Sequence, residues 1–267
     1  MGSSSKNKII CNEKDSIATI TINAPDKMNA IELEMWAEIH KVISRLSVDN
    51  SVRVVVFKGE GDKAFSSGAD ISRFAEERFN SNQAKNYASS GFWEALKTVG
   101  SFPKPVLSSI QGYCVGGGIE LAATTDLRIA GESSKFGIPA AKLGLVAGHS
   151  ELRHFVQKIG PTKTIEMLFT GRLFTSKEML SAGFLTQTVP DDEVEKTTFD
   201  LAKRIASLSP LAHMWHKSFI ERILIDPSLN SLSEKNLNEE FECFDTEDFR
   251  EGVAAFLEKR GPDFKGR

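Results

Sequence analysis

The chain has 267 residues, 40% hydrophobic and 26% charged, enough for one large core or for a core with an appendage. A formal net charge of -3 with no run of basic residues speaks against a nucleic-acid partner. Cys11, Cys114 and Cys243 are scattered without metal-ligand spacing, and no stretch resembles a signal peptide or membrane span, so a cytoplasmic protein with free thiols and no metal or membrane partner is expected.

The small polar opening, residues 1–7, reads as a flexible start or an expression remnant. From Ser16 to Ile22, Ala18, Ile20 and Ile22 alternate with Thr19 and Thr21, which predicts a strand. Pro25 and Asp26 turn the chain, and Asn29 with Glu32 three residues later predicts a helix cap. Ile31, Met35, Ile39, Val42 and Leu46 then repeat at helical spacing to about Val48. Val52 to Phe57 is a nearly unbroken β-branched run, the pattern of a strand buried on both faces in a covered parallel sheet. Lys63 to Ile71, KAFSSGADI, closes this unit with small residues and offers Asp70 as a cap. Residues 72–100 read as two helices joined near Asn80, with Phe74, Phe79, Tyr87, Phe92 and Trp93 taken as packing.

Pro103 and Pro105 set an extended entry into VLSSI, which runs into Gly112–Ala122, GYCVGGGIELA. Three consecutive glycines let another group approach the main chain, and the N–H groups at the start of the following helix have no intrahelical partner. Such a turn is either an oxyanion hole for a developing negative charge or a close helix-on-strand contact. It lacks the Lys-Ser or Lys-Thr of a phosphate loop and the spacing of a dinucleotide fingerprint. Asp126 to Ala130 predicts a strand, Lys135 to Pro139 a short extended piece, and Ser150–Ile159 and Pro161–Phe169 helices. Thr186 to Val189 is a last strand, and Asp192 to Lys259 is helical with breaks near Pro210, Pro227 and Asp245. The expectation is an α/β core over residues 8–205 with a helical C-terminal region over 206–267.

Taken together, AFSSGADI, KPVLSSIQGYCVGGGIELAATTDLRIAG, FGIPAAKLGL, FTGRLFTSKEMLSAGFL and EDFREGVAAFLEKRGPDFKGR resemble the crotonase superfamily, the enoyl-CoA hydratase and isomerase family, in the same order from about residue 8 to the end. The resemblance implies a spiral of ββα units, a C-terminal region that builds trimers often paired into hexamers, and an acyl-CoA substrate with no cofactor beyond the CoA it carries. It implies that the Ala69 and Gly117 N–H groups hold the thioester oxygen as enolate character develops, with Asp70 and Ile71 beside the CoA. It also puts Phe256 and Lys259 at the adenine end of a neighbouring subunit's CoA, Lys259 meeting phosphate. Two preorganised amide donors are a sufficient physical reason for such chemistry, because an α-carbon carbanion forms only if the enolate is stabilised.

Of the two glutamates that flank the acyl unit in hydratases of this family, Glu120 matches the first and Ala140 occupies the place of the second. Hydration then lacks its usual acid-base partner and is expected to be slow. His149 or Glu151 in AGHSEL offers a substitute, or else forms a polar helix start. A hydratase-like reaction is the leading expectation; isomerisation, decarboxylation and a weakly active CoA-thioester binding protein stay open. His40, His154, His213 and His216 read as surface or packing residues.

Overall fold

The computed structural model describes residues 7–267, so the expected flexible start lies outside the described residues except for Asn7. In chain order the strands are β1 (Ile9–Lys14), β2 (Ile17–Ile22), β3 (Val54–Gly59), β4 (Ala64–Ser66), β5 (Val106–Ile110), β6 (Tyr113–Val115), β7 (Leu127–Gly131), β8 (Lys135–Gly137), β9 (Phe174–Thr175) and β10 (Gln187–Val189). The helices are α1 (Leu33–Ser47), α2 (Phe74–Glu77), α3 (Ser81–Tyr87), α4 (Trp93–Gly100), α5 (Gly117–Thr124), α6 (His149–Thr170), α7 (Ser176–Ser181), α8 (Val194–Ala206), α9 (Pro210–Ile225), α10 (Glu234–Asn238) and α11 (Glu247–Glu258).

Six strands form one sheet in the order β1-β2-β3-β5-β7-β10, antiparallel only between β1 and β2. A smaller sheet, β4-β6-β8-β9, is parallel except at β9. The apolar run of β3 explains the layering. Val55 and Phe57 point into the larger core with α1 and the smaller sheet, while Val54 and Val56 point into a second core closed by Val194, Ala202 and Ala206 of α8. Both faces of the strand are buried, as a β-branched run in a covered parallel sheet requires. The α1 stripe follows its sequence period: Trp36, Ile39, Ile43 and Leu46 are buried against the sheet, each contributing about 1.5–3 kcal/mol.

Several local readings change. Asn29 does not cap α1. It sits in the left-handed region at φ 53°, and its buried amide accepts from Ala24 N–H and donates to the Glu60 and Ala64 carbonyls, tying three loops together. Glu32 is the N-cap instead, and Ile31 bridges Ala69 rather than opening the helix. The outer strand β1 escaped the sequence reading because only its first residue is buried, which erases the alternation. The stretch before α4 breaks twice, at the Asn80 cap as expected and again at Gly91, whose φ of 148° falls inside a wide turn over Ala88–Phe92. After β10 every regular element is helical, and α6 bends at Gly160 before Pro161.

What positions the site is the contact between two loops of the smaller sheet. β4 and β6 are parallel neighbours, so the loops at their C-terminal ends lie side by side. Gly68, at φ 90°, has no room for a side chain: a Cβ there would stand 2.8 Å from both the Gly117 nitrogen and the Val115 carbonyl oxygen. Gly144, at φ 68°, has open space where its Cβ would be. Gly68→Ala is therefore expected to cost at least about 2 kcal/mol, from strain plus backbone overlap. Gly144→Ala should cost about 1 kcal/mol, from the left-handed conformation alone. Urea unfolding of the two variants checks this, and equal losses would contradict the tight apposition.

Candidate active site

The loop after β4 is held on both sides. Gly68 N–H donates to Ser66 Oγ at 3.1 Å, and Ile31 N–H donates to the Gly68 carbonyl at 2.7 Å. On the facing loop, Gly116 takes φ 53° and ψ −127° while its N–H donates to the Gly137 carbonyl at 2.9 Å, and α5 begins at Gly117. A Cβ on Gly117 would lie 3.8 Å from the Ala69 nitrogen, so the Ala69 and Gly117 N–H groups are neighbours. Neither finds an acceptor among the described residues. Two unpartnered donors, one of them at the positive end of a helix, form an electropositive notch in the main chain.

Asp70 is occupied in building this loop. Its carboxylate accepts from Lys27 Nζ at 2.7 Å and from Ser72, which hold its pKa down to about 2. It caps the turn Ile71–Arg73, and Ile71 stands more than half exposed beside it.

One turn into α5 lies Glu120, with no hydrogen-bond partner for its carboxyl among the described residues. Part of the residue remains accessible, but the carboxyl sits deep enough that its pKa rises to about 8. Desolvation is the main cause and the charge of Glu151 the second; Arg78 opposes them. Glu151, in the first turn of α6, is buried at 4% exposure. Its Oε1 accepts from the Trp93 indole N–H at 3.1 Å and from the Ser150 hydroxyl at 3.0 Å. Gly148 leaves the space that its Oε2 fills, since a Cβ there would come within 2.5 Å of that atom.

The structure thus divides the two candidates in AGHSEL. Glu151 turns inward, whereas His149 is exposed and makes no hydrogen bond among the described residues. Ala140 lies in the 3-10 turn Pro139–Leu143, half-buried against the core. Trp93, taken from the sequence as a packing aromatic, is the residue the reading missed. Nothing in a local pattern marks an indole as the donor to a carboxylate 58 positions away. Phe256 is 83% exposed near the end of α11, and Lys259, its left-handed C-cap, is exposed and without an ion pair among the described residues. Within one chain neither is brought to the glycine turn.

A cavity of about 510 Å³ opens elsewhere, lined by Asp126, His154, Lys158, His213 and Lys217 among others. Burial lowers the His154 pKa to about 4 and the Lys158 pKa to about 8. It includes no residue of either loop, and convergent chemistry, not volume, selects the notch at Ala69 and Gly117 as the candidate site.

The sequence pattern described as enoyl-CoA hydratase/isomerase matches residues 12–267. The chain belongs to the enoyl-CoA hydratase/isomerase family. The short-chain-enoyl-CoA hydratase of Clostridium acetobutylicum is 31% identical over 265 residues, covering 98% of this chain and 99% of that protein. The 2,3-dehydroadipyl-CoA hydratase of Escherichia coli is 29% identical over 264 residues, 97% of this chain and 99% of that one. A crystal structure of an enoyl-CoA hydratase/carnithine racemase from Magnetospirillum magneticum is 41% identical, covers 98% of this chain and 97% of its own, and superposes with a TM-score of 0.94. The α/β architecture with C-terminal helices is therefore the crotonase fold of an enoyl-CoA hydratase/isomerase family enzyme. No helix among the described residues is long and apolar enough to cross a membrane.

The perturbed carboxyl makes stability depend on pH in a definite direction. Folded, Glu120 keeps its proton up to about pH 8, against an ordinary value of 4.5. The stability tied to that proton is fully present below about pH 4.5 and is lost as pH rises through 8. Glu120→Gln should accordingly exceed the wild type by on the order of a few kcal/mol at pH 8.5 and match it near pH 4.5. Urea melts at the two pH values measure this; a pH-independent difference would contradict a buried, titrating Glu120.

Proposed function

We propose that the chain is an enoyl-CoA hydratase in which Glu151, reached from α6, serves where Ala140 cannot. The observation that carries this is the pairing of two carboxyls of unlike surroundings, Glu120 protonated near neutral pH and Glu151 held by two donors, beside two unpartnered amides. The thioester oxygen of a 2-enoyl-CoA accepts from the Ala69 and Gly117 N–H groups, which lowers the cost of putting charge there by about 3–4 kcal/mol per donor. Glu151 takes a proton from water as the water oxygen bonds to the β-carbon. The electrons of the double bond move toward the thioester oxygen, and the α-carbon then receives a proton from Glu120. Regeneration returns one proton from Glu151 to Glu120, so the site ends as it began. These steps run on protein groups and the CoA thioester alone, with no further cofactor. Isomerisation and decarboxylation need only one carboxyl beside the enolate, so the second buried carboxyl favours hydration.

A trimer, or a pair of trimers, belongs to this reading, with Asp70 and Ile71 beside the CoA and Phe256 and Lys259 reaching a neighbouring subunit's adenine and phosphate. The exposed Phe241, Phe244, Phe249, Phe256 and Leu257 of the C-terminal region supply an apolar surface suited to assembly. Lys259→Ala should weaken CoA binding about tenfold without changing the molar mass seen by light scattering. Unchanged CoA affinity, or a monomer at micromolar concentration, would count against this part.

The reaction is tested with crotonyl-CoA. Glu151→Gln and Glu120→Gln should each lower kcat about 100-fold or more, as should Gly117→Pro, which removes one amide donor and adds bulk against Trp36 and Gly68. Activity should fall as pH rises through about 8, because the acid is then deprotonated. A Glu151→Gln enzyme with wild-type kcat/KM would overturn the role given to Glu151.

A further inference from the structure

The cavity of about 510 Å³ away from the glycine turn takes no part in the chemistry proposed above, and its lining follows from two helix faces. From α6 come Arg153, His154, Gln157 and Lys158, positions that fall on one side of a helix. From α9 come His213, Lys217, Ile220, Glu221 and Leu224, spaced as one stripe along that helix. Leu127, Ile205 and Ile225 add apolar wall, and the volume falls in the range of small-molecule sites. Cations are thereby set into a largely aliphatic surround.

The charges in this cavity are unequally matched. Lys217 Nζ donates to Asp126 at 2.7 Å and to the Lys104 carbonyl at 3.2 Å, and the Asp126 carboxylate also accepts from Val106 N–H at 2.8 Å, so this acid is engaged. Lys158 has no such partner: its ammonium makes no hydrogen bond or ion pair among the described residues. The charges that act on it most strongly are one carboxylate, Asp126, and three cations, Arg128, Lys217 and Arg153. Arg153 and His154 also find no partner among the described residues, and Glu221, the other acid of the lining, forms no ion pair there. Nor is the Lys158 ammonium sealed in protein, since the buried side-chain atoms left without a partner belong to Trp36, Arg78 and Tyr87. A half-buried ammonium with three donors and no acceptor costs the fold free energy that an anion in the cavity offsets.

We propose that this cavity is a second ligand site, separate from the acyl-CoA site, and that it takes a medium-chain aliphatic carboxylate. The carboxylate accepts from Lys158, with the Arg153 guanidinium and the His154 ring beside it, and the chain covers Ile220, Leu224 and Ile225. Neither half of the ligand suffices alone. An inorganic anion leaves the aliphatic wall uncovered, and an alcohol of the same length leaves the Lys158 charge uncompensated.

Calorimetry on the intact assembly at about pH 7 compares octanoate with 1-octanol and with inorganic phosphate. Octanoate should bind about tenfold or more tightly than either. Lys158→Met, which keeps a side chain of similar length without the charge, should lower octanoate affinity about tenfold or more and leave 1-octanol binding unchanged; Lys158→Arg should retain part of the affinity. Removing an uncompensated charge does not threaten the fold, so the methionine variant should resist urea at least as well as the wild type. Leu224→Ser, at a half-exposed position of α9, should weaken octanoate about threefold or more by removing part of the wall. Saturating butyryl-CoA should leave octanoate affinity unchanged, because the two ligands occupy different places. Octanoate binding no tighter than 1-octanol or phosphate overturns the proposal, as does affinity that survives Lys158→Met or Leu224→Ser. Displacement of octanoate by butyryl-CoA overturns it as well.

Discussion

The structure depends on one close approach, that of the backbone at Gly68 to the backbone at Val115 and Gly117. Two loops that leave parallel neighbouring strands cross with no side chain between them, so a pair of amides that would otherwise be solvated or paired elsewhere is left facing the same space. Much of the surrounding architecture fixes that crossing. Ser66 and Ile31 anchor one loop and the Gly137 carbonyl anchors the other. Gly118 packs its bare Cα onto Ser66, so α5 can start only where the smaller sheet puts it. Lys27 and Ser72 engage Asp70, keeping its negative charge compensated and turned to the loop's own support.

The carboxyls are arranged by the opposite means. Among the described residues the Glu120 carboxyl has no hydrogen-bond partner, and burial makes its charged form costly; Glu151, 4% exposed, receives an indole N–H and a hydroxyl. A shared low-dielectric region with two acidic groups accommodates one negative charge much more readily than two. Two chemically identical side chains thus stand in unlike surroundings, one without a donor among the described residues and one with two.

The glycine turn, the doubly buried β3 and the amphipathic α1 were legible because each is a local pattern with one physical solution. Val54 to Phe57 has no polar residue to expose, and three successive glycines have no side chain to bury. The reading failed where the deciding partner is distant in sequence. Asn29 followed by Glu32 imitates a capping box, but the Asn29 amide is claimed by carbonyls at residues 60 and 64, which no short window contains. Glu151 was in view only as one of two polar residues in a helix start. Its selection over His149 needed the indole of Trp93, brought across by the packing of α4 against the neighbouring helices.

Gly91 has a consequence beyond the kink it introduces. Its backbone lies against Ala37 of α1, where a Cβ would stand 3.0 Å from the Ala37 nitrogen, and the chain changes direction there. Residues before the bend, Arg78 and Tyr87, stack on each other, whereas Trp93, just after it, supports Glu151. The amides and Glu120 come from other segments, set by the smaller sheet and α5. The stretch that packs on α1 before the bend and the stretches that form the glycine turn are thus separate parts of the chain. Residues across 74–90 can therefore diverge in a lineage while the glycine turn and Glu120, set by other segments, are inherited unchanged.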